Sequence, residues 1–223
     1  MGTRYHTDVF EHISEEKKAL VLEAASGEFA RLGYTAANIN VIAKKAGISI
    51  GSIYKYFTTK ENLFLTVCNQ SVEMLTGKLN EIMEYSGDFF DKVEFILRII
   101  QEHSREYAPM INLYNEITTE GNRELVKKLS YEMESVSARC YALLLEEAAA
   151  SGLVAGDIDL KLFAFLMDSL FMTLQFSYAS EYYQERMKVF IDDMILDQDE
   201  LVIEQAMLFI RRAFSPPAGK SDS

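Results

Sequence analysis

Two short apolar-periodic segments stand only three residues apart in this chain, and that spacing constrains the fold more than any other feature. The first is capped near Asn38, turns Ile39, Ile42, Ala43 and Ala46 inward, and stops at Gly47. The second starts after Ser49 and runs to about Phe57, with Ile53 and Phe57 inward. Two short helices joined by a glycine-containing turn, here Gly47-Ile48-Ser49, form the helix-turn-helix pattern. In that arrangement the first helix lies across a phosphate backbone and the second enters the major groove, which admits one α-helix. The expected outward positions of the second helix are Ile50, Gly51, Ser52, Tyr54, Lys55 and Tyr56. They offer two phenols, one hydroxyl, one ammonium and no acid, a set suited to phosphates and base edges. Gly51 lets the backbone come close to a partner.

The flanking sequence keeps the helical period. Ser14 is placed to cap a helix with Glu15 and Glu16 in its first turn, the stripe Leu22, Ala25, Phe29 and Leu32 along it, and Gly33 just past its end. Thr59 starts a long helix through Leu63, Phe64, Val67, Cys68, Val72 and Leu75, ending near Gly87. Further helices are expected at about 88–107, stopped by Pro109, and at about 110–118, 123–151, 159–185 and 199–214. The helix at 123–151 turns Leu125, Leu129, Met133, Val136, Cys140 and Leu144 inward. No segment carries a convincing strand pattern, and three prolines and eleven glycines in 223 residues leave room for long helices. The fold class is therefore all-α, with an N-terminal three-helix domain and a larger C-terminal helical domain. The expected boundaries are a flexible N-terminal arm over 1–13, the helix-turn-helix domain over 14–60, the C-terminal domain over 61–214 and a disordered tail over 215–223.

Charge sharpens the first domain. The chain has a formal net charge of -12, yet residues 29–60 contain no Asp or Glu. About five acids would be expected in that window from 34 in 223 residues. Five cations lie there instead: Arg31, Lys44, Lys45, Lys55 and Lys60. An acidic protein that keeps one surface free of carboxylates is expected to meet a polyanion with it, since each carboxylate would repel phosphate.

The run GYTAANINVIAKKAGISIGSIYKYFTTKENLF resembles the DNA-binding signature of the TetR family of bacterial transcriptional regulators. The matching elements are Gly33-Tyr34, Ile39, Ile42-Ala43, Ala46-Gly47, Ser49, Gly51-Ser52, Tyr54, Tyr56-Phe57, Lys60 and Leu63, within residues 22–67. The resemblance implies that Ser52 and Lys55 touch base edges. It also implies that Tyr54 and Tyr56 touch phosphate or the adjoining base, and that Lys60 touches phosphate; the alternative for either tyrosine is packing in the core. Ala37 and Asn38 stand where members often carry Thr or Ser, and Ile50 stands where many are polar or basic. Ile50 is a candidate for a thymine methyl, or it does not reach the DNA. Lys44 and Lys45 either face phosphate or are solvated; Arg31 is structural or a remote phosphate contact. Arg4 and His6 belong to an arm that either enters a minor groove or is unstructured.

The C-terminal half carries different signals. The segment 159–185 is apolar on every side, from Leu162, Phe163 and Phe165 to Leu174 and Phe176, so it needs cover on more than one face. The last helix, with Leu201, Val202, Ile203, Met207, Phe209 and Ile210, is nearly as apolar. The resemblance implies that these two segments form a four-helix bundle across a two-fold axis, giving a homodimer that reads a palindromic operator on double-stranded DNA. Ten Met, fourteen Phe and twelve Tyr suit a cavity for a small lipophilic or aromatic effector, alongside the plain core that most of them form. The candidate lining is His103, Met110, Leu113, Tyr114, Met133, Met167, Phe171 and Gln175. Asp168 interrupts the greasiest segment, either as a counter-charge for a cationic ligand or, as preferred here, as partner to a Lys or Arg across a dimer.

Enzyme, cofactor and metal signatures are absent: no Gly-rich phosphate loop, no HExxH, no GxSxG, and no metal spacing among His6, His12 and His103. Cys68 and Cys140 read as reduced core thiols. The N-terminus lacks the apolar region of a signal peptide, and the most apolar run, 162–174, is too short and too polar at Asp168 and Ser169 to span a bilayer. The expected protein is a cytoplasmic, ligand-responsive, DNA-binding repressor without enzymatic activity or membrane partner. Two alternatives are an architectural or cell-division protein of the same fold without an effector, and an all-α ligand-binding protein that no longer binds DNA.

Overall fold

The computed structural model describes residues 3–119 and 123–216, less the side chains of 115–119, 123–126, 128–130, 132 and 133. The expected tail over 215–223 thus lies almost wholly outside the described residues. Every regular element among those described is helical: α1 Asp8–Glu11, α2 Glu15–Ala36, α3 Ile39–Lys45, α4 Ile50–Phe57, α5 Lys60–Glu84, α6 Phe89–Glu106, α7 Ala108–Thr119, α8 Arg123–Ala150, α9 Leu160–Ala179, α10 Glu181–Phe190 and α11 Asp199–Phe214, with a 3₁₀ turn at Ile195–Asp197. The chain divides into two compact units. One comprises the chain as far as Thr76 together with Asn112–Met133; the other comprises Gly77–Ile111 and everything from Glu134.

The first unit begins its helices where side chains can satisfy the orphan amides of a first turn. Ser14 accepts from the Lys17 amide, Asn38 from that of Asn40, Ser49 from that of Ser52 and Thr59 from that of Asn62. Gly33 interrupts α2 with φ 71, a left-handed value that glycine adopts without a Cβ clash. The expected stop is therefore a break inside one long element. Leu32, the last of the expected stripe, sits exposed just before that break. The core gathers Val21, Leu22, Ala25 and Phe29 from α2, Ile39 and Ile42 from α3, Ile53 and Phe57 from α4, and Leu63 and Phe64 from α5. Phe29 meets Phe64 edge-on at 5.0 Å. Each of the larger side chains buried here, Ala25 aside, stabilises the unit by roughly 1.5–3 kcal/mol.

The N-terminal segment expected as a flexible arm is packed. Residues 8–11 form α1, and Phe10 is 3 % exposed against Tyr56 and Phe57, with ring centroids 5.7 and 4.6 Å away. The physical reason is apolar: a Phe ring in this segment covers the end of α4, and its burial outweighs the entropy of a short ordered stretch.

In the second unit α6 is held on two sides, packing on both α9 and α11. It starts with a capping box: Asp88 accepts from the Asp91 amide, and Asp91 accepts from that of Asp88. Buried Gln101 donates to the Tyr178 hydroxyl at 2.7 Å and to the Asp199 carbonyl at 3.0 Å. Arg105 forks onto the Asp199 carboxylate at 2.6 and 2.7 Å and lies 4.5 Å from the Tyr178 ring centroid. The single helix expected over 159–185 is two, because the chain turns extended at Ser180. α9 is 20 residues, longer than the 13-residue run suggested, and by length and composition alone it is apolar enough to cross a membrane. In this fold it packs on α6 and α10. Cys68 and Cys140 are free and buried, and burial pushes the Cys140 thiol up to about 11.

Candidate nucleic-acid interface

The geometry of the first unit sorts the expected contact residues into exposed, engaged and buried groups. On α4, Ile50 and Tyr54 are 43 % and 49 % exposed, large values for an isoleucine and an aromatic on a helix this short. Lys55 and Gly51 are exposed, and Ser52 is half-buried with its Oγ 2.9 Å from that of its cap, Ser49. A Cβ at Gly51 would meet only Ser49 Oγ, at 3.7 Å. The unit therefore leaves room for a side chain there, and the bare backbone of Gly51 is open to close approach from outside. Asn38 and Lys44 are exposed on α3, although the Asn38 carboxamide oxygen is occupied with the Asn40 amide. Neither Lys44 nor Lys55 has a carboxylate within ion-pair distance among the described residues.

Three of the expected cations are already engaged. Glu28, the last acid before the acid-free stretch, is fully buried. It takes Lys45 Nζ at 3.0 Å and Arg31 at 3.2 Å. Burial pushes its carboxyl up, but the hydrogen bonds from Lys45 and then Arg31 outweigh that and hold it below the ordinary value. Lys45 and Arg31 therefore settle a charge inside the unit. Lys60 donates to the Thr35 carbonyl at 3.0 Å and lies 5.2 Å from the Tyr34 ring centroid, and burial holds its pKa down.

Tyr56 corrects the expected outward face. It is 6 % exposed, with its ring between Phe10 and Phe57. An eight-residue helix that packs on the unit's core and again under Phe10 has two covered sides, and Tyr56 falls on the second. The outward face is thus Ile50, Gly51, Ser52, Tyr54 and Lys55. Sequence reading missed this because Phe10 had no periodic pattern long enough to announce a helix. It missed Glu28 because a carboxylate between an alanine-rich turn and an apolar stripe reads as solvated.

The expected effector lining does not fall in one unit. Leu113, Tyr114 and Met133 belong to the first, and the Met133 side chain lies outside the described residues. His103, Met110, Met167, Phe171 and Gln175 belong to the second. Met167, Phe171 and Gln175 share one face of α9 at steps of four; the first two are buried and Phe171 meets Tyr141 edge-on at 5.5 Å. His103 is half-buried, stacked on Tyr107 at 5.6 Å and 3.8 Å from Glu106, so it faces its own helix end. Asp168 is half-buried, and burial first, then the Glu134 carboxylate, push its pKa up to about 6. Among the described residues it has no Lys, Arg or His within ion-pair distance.

Within the first unit α2, α3 and α4, with a carboxylate-free face of α4 outward, form a helix-turn-helix domain. The comparisons agree: residues 21–67 match the profile of bacterial regulatory proteins of the tetR family. Residues 21–67 thus carry the DNA-binding domain of the tetR family. The chain is 29 % identical over 170 residues to the uncharacterized HTH-type transcriptional regulator YhgD of Bacillus subtilis (strain 168), covering 76 % of this chain and 88 % of that one. The fold matches the crystal structure of a TetR-family regulator from Chloroflexus aurantiacus J-10-FL with TM-score 0.66, at 20 % identity over 95 % of this chain and 99 % of that one. It also matches the regulator FadR of Bacillus subtilis, solved in complex with stearoyl-CoA, with TM-score 0.64 at 21 % identity over 83 % and 95 % of the two chains.

Proposed function

We propose that this protein is a homodimeric, cytoplasmic repressor that binds a palindromic operator and is released by a small lipophilic effector. The observation that carries the DNA half of this reading is the outward face of α4. Exposed Ile50 and Tyr54 stand beside Gly51 and Lys55, the latter without a carboxylate within ion-pair distance among the described residues. Tyr54 and Ser52 supply hydrogen bonds, Ile50 an apolar contact to a thymine methyl, and Lys44 and Lys55 charge against phosphate.

The dimer is supported by apolar surface in the second unit. Leu162, Phe165 and Leu166 on α9 are 53 %, 64 % and 51 % exposed, and Phe209 on α11 is 62 % exposed. Two-fold pairing of these faces covers them and gives the two reading heads of a palindrome. An effector with a long apolar part is supported by the fold neighbour FadR with stearoyl-CoA and by the Met167–Phe171 face of α9. α5 contributes residues to both units, so a ligand that favours one placement of α5 also favours one spacing of the reading heads.

The test is fluorescence anisotropy on a duplex enriched from a random pool, with excess competitor DNA at two salt concentrations. The reading expects binding that survives competitor, a log–log salt slope of about 0.9 per phosphate contact, and release by a long-chain acyl-CoA. A protein that enriches no sequence overturns the DNA half; enrichment without release by any acyl-CoA or free fatty acid overturns the effector half.

A further inference from the structure

The last four carbonyls of a helix have no partner within it, and in α4 those belong to Tyr54, Lys55, Tyr56 and Phe57. The chain leaves α4 abruptly, because Thr58 has φ 64, an uncommon value for a β-branched residue. The Thr58 amide reaches back to the Tyr54 carbonyl at 2.9 Å and the Thr59 amide to that of Phe57 at 2.7 Å. The Lys55 and Tyr56 carbonyls are taken by one residue 48 and 49 positions earlier. The Thr7 hydroxyl donates to the Lys55 carbonyl at 2.9 Å, and the Thr7 amide donates to the Tyr56 carbonyl at 2.8 Å. Phe10, one turn further on, closes over Tyr56 and Phe57. The Thr3 carbonyl accepts from Asn69 of α5 at 2.8 Å, which ties down the start of the same segment. Arg4 is paired with Asp8 and lies 3.9 Å from Glu11, so its charge is engaged within the segment.

We propose that Thr7 and Phe10 form a clamp that sets the pitch of α4, so that the segment before α2 determines DNA sequence selectivity without touching DNA. This rests on α4 being the reading helix. A base-edge contact demands placement to within a fraction of an ångström, whereas phosphate attraction is long-ranged and tolerant. Loosening the C-terminal end of α4 therefore degrades recognition of the right sequence and spares attraction to any duplex. Thr7 and Phe10 are positioning residues in this scheme, acting through Lys55 and Tyr56.

The test compares wild type with Thr7→Val, Thr7→Ser and Phe10→Ala. In the DNA-free protein, amide hydrogen exchange of α4 should quicken about fivefold in Thr7→Val, the factor that corresponds to one hydrogen bond of ordinary net strength. Thr7→Ser, which keeps the donor, should restore wild-type exchange, and α2 should be unaffected in both. On DNA, Thr7→Val should lose about fivefold on the duplex enriched by wild type, stay within twofold on a scrambled duplex, and keep the salt slope; Thr7→Ser should restore the difference. Phe10→Ala should follow the same pattern more strongly, and because it also opens a gap in the core, the Val/Ser pair decides. Unchanged α4 exchange in Thr7→Val overturns the clamp, as does an equal loss on both duplexes. A wild type that enriches no sequence overturns the DNA reading instead, and the exchange measurement then still decides whether the clamp exists.

Discussion

The two units treat buried charge and exposed surface in opposite ways. In the first, the buried carboxylate of Glu28 has two cations on it and its pKa is held down. What that unit leaves exposed on α4 is Ile50, Gly51, Tyr54 and Lys55, a face free of acid. In the second, Asp168 stands half-buried on the most apolar helix, with Glu134 as its charged neighbour and its pKa pushed up. On α9 and α11 that unit leaves Leu162, Phe165, Leu166 and Phe209 exposed. A unit that has settled its interior charge is complete as a folded body, and its open valence is toward a polyanion. In the second unit the interior acid has no Lys, Arg or His within ion-pair distance among the described residues, and phenylalanines are exposed.

The contrast breaks first at Glu28. Removing both partners, Arg31→Met with Lys45→Met, leaves a buried carboxylate unpaired. The expected cost is about 3 kcal/mol, at the lower end for a broken buried pair because both cations reach solvent. Urea unfolding checks it; a wild-type midpoint would mean the interior of the first unit was never settled by these pairs. Next comes the apolar surface. Phe209→Glu should weaken the dimer by about a hundredfold, near 2.7 kcal/mol, with helicity unchanged. Sedimentation at micromolar protein that still gives only dimer would remove α11 from the interface. Smaller again is Tyr54→Ala, expected to cost about tenfold in operator affinity with the salt slope intact, whereas Lys55→Ala should lower that slope by about 0.9. A slope unchanged in Lys55→Ala would mean that Lys55 neutralises no phosphate.

Much of the first unit was legible in the sequence, because its signals are local. Ser14, Asn38, Ser49 and Thr59 cap helices within three residues, and Gly33 breaks one by its own φ. What was illegible there depends on distant pairs. Tyr56 is covered by Phe10, 46 positions away, and Lys45 is claimed by Glu28 from another helix. No spacing rule reports such meetings, so Tyr56 and Lys45 read as outward and free. In the second unit an all-round apolar segment announced that α9 needs cover, but periodicity carries no mark for the extended Ser180 that splits α10 from it. Leu113 and Met167 are equally apolar in sequence, and that likeness carries no mark of the different units in which they fall.

Titration separates the two units by sign. Glu28 has a folded pKa below its ordinary 4.5, so the unfolded chain binds its proton more readily. The stability it contributes is present above about 4.5 and is lost as pH falls through the lower folded value. Asp168 runs the other way, from an ordinary 3.8 to about 6. Between those values the folded protein holds the proton more tightly than the unfolded chain, so stability falls as pH rises from about 4 to about 6 and stays lowered above that. Asp168→Asn removes the titration while keeping the size. Its melting temperature should exceed that of wild type at pH 7, by an increment that shrinks toward zero near pH 4, while the Glu28-dependent loss below pH 4.5 remains in both. An increment independent of pH would mean that Asp168 is compensated in the assembled protein, most simply by a cation from a second copy, and the second unit would then have settled its interior charge after all, through its partner.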